Sequence, residues 1–486
     1  MPVLTHTLSE RWHEGWLASP AVADLDADGT REIIVARAGR LQVWHLGAAD
    51  GTLAWSADVP SRIWASPVVA DIVPGQPGLE VAVSSGDSVY VWLADGTAAP
   101  GFPASWRGEL RSLATGDING DGALELVAVT TMPLEGSGQR DIVMAFAGDG
   151  SMMPGFPANT GGAAGCDDAC YVTGGYDQNI GLGNIDGDVE LEIIASQDNA
   201  YNSVHDGDGR AFDANPIFDG RSKYSGIRFM VDYALAQQGY ADDESVDEQG
   251  HFTNTAPVVA DVDGDGVGEV VLLGSVQNAA QDDRERGVAL WVTKPDGTRP
   301  SAWTTPPKFP GYVSGLWDYG NNVVGITNQP SAVDLDPSRP GPEFVFAGFD
   351  GAIHAVDAQA QTLWSHTYTS SDTEGTAGVA VADLSGDGSP EVVFATYSDD
   401  GGAELIILDA AGNRLHALPL PDRGSMAVPT IADANGDGVL DIVLDMKGAG
   451  DRTPQALIYS VAGASDNCLA WPTGRGNYRR DGYLPP

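Results

Sequence analysis

Residues 258–273 read VVADVDGDGVGEVVLL: a short apolar strand, an acidic loop punctuated by glycine, and a second apolar strand. The phrase recurs along the chain. AVADLDADGTREIIVA begins at Ala21, VVADIVPGQPGLEVAV at Val68, LATGDINGDGALELVAV at Leu113 and IGLGNIDGDVELEIIA at Ile180. AVDLDPSRPGPEFVFA follows at Ala332, VAVADLSGDGSPEVVFA at Val379 and TIADANGDGVLDIVLD at Thr430, which makes eight copies. Their first loop positions are 24, 71, 117, 184, 261, 334, 383 and 433, so the spacings are 47, 46, 67, 77, 73, 49 and 50. A unit of just under fifty residues, enlarged three times, is the mark of a repeat architecture in which no unit can bury its apolar faces alone.

Most units continue into a third alternating strand, as in LQVWHL from Leu41, SVYVWL from Ser88, DIVMAF from Asp141 and AELIIL from Ala403. A glycine turn then leads to a fourth, such as TLAWSA from Thr52, and Asp95-Gly96, Asp149-Gly150 and Asp296-Gly297 are strong hairpin signals. Four short antiparallel strands per unit match the blade of a β-propeller, which protects its sheet edges by radial repetition. The expected fold is all-β, a single domain over 1–486: an eight-bladed propeller with repeats starting near 21, 68, 113, 180, 256, 331, 378 and 428. A seven-bladed ring with one irregular unit is the alternative, because the fourth and sixth copies are degenerate. CLAWPTGRG from Cys468 resembles the fourth strand of the first unit, so ring closure is expected without a strand from the N-terminus.

The chain of 486 residues carries 25 Lys+Arg against 68 Asp+Glu, a net charge of −43. Such a surface repels phosphate backbones and anionic lipid, which excludes nucleic acid as a partner. Apolar residues at 42% and 38 aromatics supply a large core, which rules out disorder. No window approaches the ~18–20 continuous apolar residues of a membrane helix. MPVLTHTLSERWHEGW at 1–16 shows no signal peptide, so either the chain is intracellular or its leader is missing from this sequence. Cys166 and Cys170 in CDDAC can close a small disulfide loop, with Cys468 left alone; two reduced thiols or half of a metal site are the other readings. A bridge there favours an oxidising compartment.

In five copies the loop runs acid-x-polar-x-Asp-Gly-x-x-acid. The side chains are Asp24, Asp26, Asp28 and Glu32; Asp117, Asn119, Asp121 and Glu125; Asp261, Asp263, Asp265 and Glu269; Asp383, Ser385, Asp387 and Glu391; and Asp433, Asn435, Asp437 and Asp441. The backbone carbonyl at position 7 (Thr30, Ala123, Val267, Ser389, Val439) completes the set. Hard oxygen donors in this number suit calcium, which takes six to eight oxygens, better than the tighter magnesium octahedron. Gly at position 6 permits the backbone reversal that turns that carbonyl inward. The EF-hand opens alike but closes with Glu at position 12, where this chain has Val35, Ala128, Leu272, Phe394 and Leu444, so that reading fails. The fourth copy, Asn184, Asp186, Asp188 and Glu192, has Val189 in place of the glycine and is a possible sixth site. The Pro-rich second and sixth copies, IVPGQPGLE and LDPSRPGPE, are expected to bind no metal, proline rigidity replacing the ion.

These loops, together with DGTAAPGFP from Asp95 and DGSMMPGFP from Asp149, resemble the FG-GAP/VCBS repeats of integrin-alpha-type propellers over about 21–486. The resemblance implies calcium between the first and second strands of a blade. It implies no single activity, since the family includes adhesins, lectin-like proteins and some polysaccharide lyases.

Long insertions fall at 131–141, 158–178, 217–255, 275–287 and 299–327. Alternating blade connections put them on the face opposite the acidic loops, and loops this long are usually functional or disordered. Tyr224, Arg228, Trp317 and Tyr319 there are candidate ligand contacts, aromatic faces beside cations suiting sugars or acidic polymers. No HExxH, GxSxG or phosphate-binding glycine loop is present. The expected function is non-catalytic recognition of a protein or glycan by a secreted or surface monomer. The alternative is a polysaccharide lyase of the rhamnogalacturonan type using a Tyr, His or Lys base, with His205, His251, Lys223 and Tyr224 as a weak constellation.

Overall fold

The computed structural model describes the chain apart from residues 10–12, 48–50, 133–141, 159–172, 240–247, 278–285, 314–317, 320–321, 324–328, 449–453 and 464–468. It is an eight-bladed β-propeller with almost no helix among the described residues. The first strands of the blades are Ala21–Ala23, Val68–Ala70, Leu110–Gly116, Ile180–Gly183, Val258–Ala260, Ser331–Val333, Ala380–Ala382 and Thr430–Ala432. Each pairs antiparallel with a second strand that begins on the acid closing its loop: Glu32, Glu80, Glu125, Glu192, Glu269, Glu343, Glu391 or Asp441. The loop therefore joins two directly paired strands and starts and ends at one place on the sheet edge.

Burial explains the strand patterns. Second strands such as Glu32–Arg37 are buried at every residue, because a blade packs on both faces. The outermost strand of blade 1, Gly51–Asp58, alternates between half-buried and exposed over much of its length. Seven buried apolar clusters fill the eight interfaces between neighbouring blades, one of them covering both sides of blade 6. In blades 3 and 4 the fourth edge shrinks to the bridges Phe146↔Met152 and His205↔Ala211.

Ring closure differs from the sequence expectation. Val3–Leu8 pairs antiparallel with Ala456–Ser460 and is the outermost strand of blade 8, so the N-terminus does close the ring. The buried Arg37 of blade 1 locks the seam: its guanidinium pairs with Asp445 of blade 8 and donates to the Met446 and Gln455 carbonyls.

The segment from Trp471 onward serves another purpose. It winds past the first strands in turn: Trp471 exchanges backbone bonds with Val381, and Ile431 donates to the Pro472 carbonyl. Val69, Thr115, Leu182 and Val259 then donate to the carbonyls of Tyr478, Arg479, Asp481 and Gly482. Tyr483–Leu484 finally runs parallel to the first strand of blade 5. Arg480, fully buried here, donates to the carbonyls of Pro67, Ser19 and Pro20. These residues are drawn to the axis because the first strands offer free donors there.

Candidate metal loops and the opposite face

The acidic loops share one hydrogen-bond scheme. The N–H of position 6 donates to the first acid: Gly29 to Asp24, Gly122 to Asp117, Gly266 to Asp261, Gly388 to Asp383 and Gly438 to Asp433, each at 2.9 Å. These glycines hold φ between 81° and 89°, the left-handed region that a side chain disfavours. The N–H of position 2 donates to the closing acid, as Leu25 to Glu32 at 2.8 Å and Leu384 to Glu391 at 2.6 Å. In blades 3 and 8, Asp117 and Asp441 each spend one oxygen on the loop and keep the other, whereas Asp24, Asp261, Asp383 and Asp433 accept loop N–H bonds on both.

Those remaining oxygens test the fit of a cation. Asp117 Oδ1 and Asp441 Oδ1 are buried without a hydrogen-bond partner, one in the loop of blade 3 and one in that of blade 8. Burial, with repulsion from Asp121 and Asp117, pushes the Glu125 carboxyl up to about 7; burial with Asp437 and Asp433 nearby pushes Asp441 up to about 6. Glu80 Oε1 and Glu343 Oε1 in the Pro-rich loops are orphaned too, so it is the further side-chain oxygens at positions 3 and 5 of the regular loops that make their donor chemistry fit calcium, a hard ion that takes six to eight oxygens. In blades 1 and 5, Asp24, Asp26 and Asp28, and Asp261, Asp263 and Asp265, bring a carboxylate oxygen each within 4.8 Å of one another.

Blade 4 keeps part of this arrangement. Asp186, Asp188 and Glu192 cluster within the same limit, and Gly187 donates to Asn184 as Gly264, Gly386 and Gly436 do to their first acids, but the exposed Val189 does not take the left-handed turn of the regular glycines. In blade 2, Glu80 still accepts from Ile72 and Val73, and in blade 6 Glu343 accepts from Leu335. The paired PGFP segments also find a role: a side chain at Gly101 or Gly155 would strike the carbonyl of Asp149 or Asp208, in the turn of the next blade.

The ligand residues expected on the opposite face fare differently. Tyr224 is fully buried with its hydroxyl 2.7 Å from Thr293 Oγ1, and Arg228 is 7% exposed. Both belong to the packing of the 217–255 insertion, where Phe218, Tyr224, Phe229 and Phe252 form an apolar core against Trp291 of blade 5. This corrects the sequence expectation for these two side chains: an aromatic-rich insertion needs its own core. Asn215, just before it, bonds to Asp296 in the hairpin turn of blade 5, so the insertion starts from the acidic-loop side. Trp317, Cys166, Cys170 and Cys468 lie outside the described residues, and Tyr319 sits in a two-residue strand, Asp318–Tyr319. His205, His251 and Lys223 are held by Gly209, Thr253 and Asp213 respectively.

A group unmarked in the sequence gathers on that opposite face. Trp16 and Leu17, which precede blade 1, bond to Asp177 and Gln178, which precede blade 4, across the mouth of the channel. Trp16 meets Trp64 edge to face at 5.8 Å. Arg62 lies 5.5 and 5.0 Å from these rings, Arg111 is 4.0 Å over Trp64, and Lys447 is 4.4 Å over Trp16. Glu14 ties Arg62, Arg423 and Lys447 together, and Asp177 holds Arg111 at 2.8 Å. Burial, reinforced by Arg62 and Arg423, lowers the Lys447 ammonium to about 8 despite the opposing pull of Glu14. Its members come from six separate stretches of the chain, so no motif could have flagged it.

Residues 383–444 match the model of a family described as an FG-GAP-like repeat. No curated protein matches the chain in sequence. Among solved structures, the chain is similar to the exotype rhamnogalacturonan lyase YesX (14% identity, 94% of this chain and 76% of that one, TM-score 0.50). It is also similar to Saccharomyces cerevisiae Sqt1 (10% identity, 94% and 99% covered, TM-score 0.50). A third is the V. cholerae biofilm matrix protein Bap1 (15% identity, 97% and 92% covered, TM-score 0.44). At these identities the likeness is one of fold. The chain is an eight-bladed β-propeller with an FG-GAP-like repeat running from its seventh blade into its eighth.

Proposed function

We propose that this protein is a calcium-stabilised recognition module that binds carboxylate-bearing polymers, acidic glycans foremost, on the face opposite its acidic loops, and that it works outside the cell. The observation that carries the reading is the cluster at the channel mouth. Four of only 25 basic residues, Arg62, Arg111, Arg423 and Lys447, converge there, three of them against Trp16 and Trp64. Indole faces stack on sugar rings and guanidinium groups chelate carboxylates, so the pair of chemistries suits a uronate-containing chain. Calcium, when bound in the loops, supplies the positive charge that lets packed carboxylates stay ionised. Sites with a Kd of about 10⁻⁴–10⁻³ M serve extracellular modules, which fits loops as open as these. A glycan array probed in calcium tests the reading: binding to acidic glycans that Arg111→Ala abolishes supports it, and silence or indifference to that change sinks it.

Lys447 favours a second reading, lyase action. An amine lowered to about 8 is partly neutral near physiological pH and can take the proton beside a uronate carboxylate whose charge Arg62 and Arg423 offset. New ultraviolet absorbance from an unsaturated product, lost in Lys447→Met, would distinguish catalysis from binding alone.

A further inference from the structure

The loop of blade 5 matches the repeat phrase fully, yet it contains a cation of its own. Lys294 Nζ lies 2.7 Å from Asp263 Oδ2, 3.1 Å from Asp265 Oδ2 and 3.6 Å from Glu269 Oε1. Those carboxylates are positions 3, 5 and 9 of the loop. The ammonium reaches them because of strand register. In blade 1 the closing acid Glu32 pairs across the strands with His45, and in blade 8 Asp441 pairs with Ser460. One step beyond Leu126↔Phe146, Ile193↔His205, Val392↔Leu408 and Val270↔Thr293, the same position falls to Ala147, Asp206, Asp409 and Lys294. Lysine stands there in blade 5 alone of the eight.

The lysine backbone is also fixed. Lys294 opens the hairpin turn that runs on to Thr298, its N–H donating to Thr298 O at 2.7 Å and its carbonyl accepting from Gly297 at 2.9 Å. Blade 6 uses a related device, Arg339 lying 3.1 Å from Asp357 and 3.3 Å from Asp336.

The geometry points to Lys294 as a built-in replacement for the divalent ion: at calcium levels that fill the regular loops, the loop of blade 5 takes none. The inference rests on the calcium reading of the other loops. A calcium ion sits about 2.3–2.6 Å from its oxygens. Placed on carboxylates already touching Nζ, it would bring two cations into contact, so the ion enters only by expelling the lysine. The arc of blades 5 and 6 then holds its loops without metal, while blades 1, 3, 7 and 8 depend on it.

Native mass spectrometry in calcium, comparing the unaltered protein with Lys294→Met, counts the ions directly. The expected result is one more calcium per chain in the variant. Equal, non-zero counts overturn the role of Lys294, and zero in both overturns the calcium reading itself. Hydrogen exchange of the unaltered protein stands as a second measurement that needs no variant. Protection of 258–273 should be the same in calcium and in chelator, while 379–395 loses protection in chelator. Calcium-dependent protection of 258–273 overturns the proposal.

Discussion

The two faces of the ring are made by opposite means. On one, a single phrase is repeated around the circle, and its five regular copies offer carboxylates whose geometry is set by a glycine and two backbone N–H groups. On the other, Trp16, Arg62, Trp64, Arg111, Arg423 and Lys447 arrive from connections far apart in sequence and meet once, at the channel mouth. Repetition yields equivalent structural sites, and convergence yields one site with a shape of its own. The first face should therefore govern stability, and the second should govern recognition.

Chelation breaks the comparison most forcefully. Each filled loop stabilises the folded state by about 1.4 kcal/mol when free calcium is tenfold above its Kd, so emptying the four loops of blades 1, 3, 7 and 8 together should lower the melting temperature by more than any single substitution. An unchanged melting curve in chelator would take the structural role away from the acidic face. Arg37→Ala comes next: removing one partner of a buried ion pair costs about 3–5 kcal/mol, and denaturant unfolding should show the loss with or without calcium, because this seam cation serves closure and not recognition. Asp433→Ala should cost about 1.4 kcal/mol with calcium tenfold above the Kd and much less in chelator. Asp71→Ala, in the Pro-rich loop of blade 2, should stay within about 0.5 kcal/mol. Trp64→Ala, on the opposite face, should leave the calcium dependence of melting intact and reduce affinity for an acidic glycan about tenfold; loss of calcium response instead would merge the two faces.

The acidic face was legible because each copy checks the others: eight acids begin eight second strands. What the sequence hid are features that occur once. VLTHTL at 3–8 carries no trace of the repeat phrase, and only its pairing with Ala456–Ser460 makes it a blade strand. CLAWPTGRG resembled a fourth strand, but its downstream residues find free donors at the axis. Tyr224 and Arg228 looked like ligand contacts because a sequence does not tell an aromatic that faces solvent from one that cores its own insertion. Lys294 was readable in principle, one residue past an alternating strand and just ahead of an Asp-Gly turn, but its meaning depends on register.

The most direct test of the central claim is an anomalous difference map from crystals grown in calcium. The account predicts peaks inside the loops that begin at Asp24, Asp117, Asp383 and Asp433, and none in the Pro-rich loops of blades 2 and 6. Loops that stay empty in millimolar calcium, with their carboxylates turned out to solvent, would contradict it.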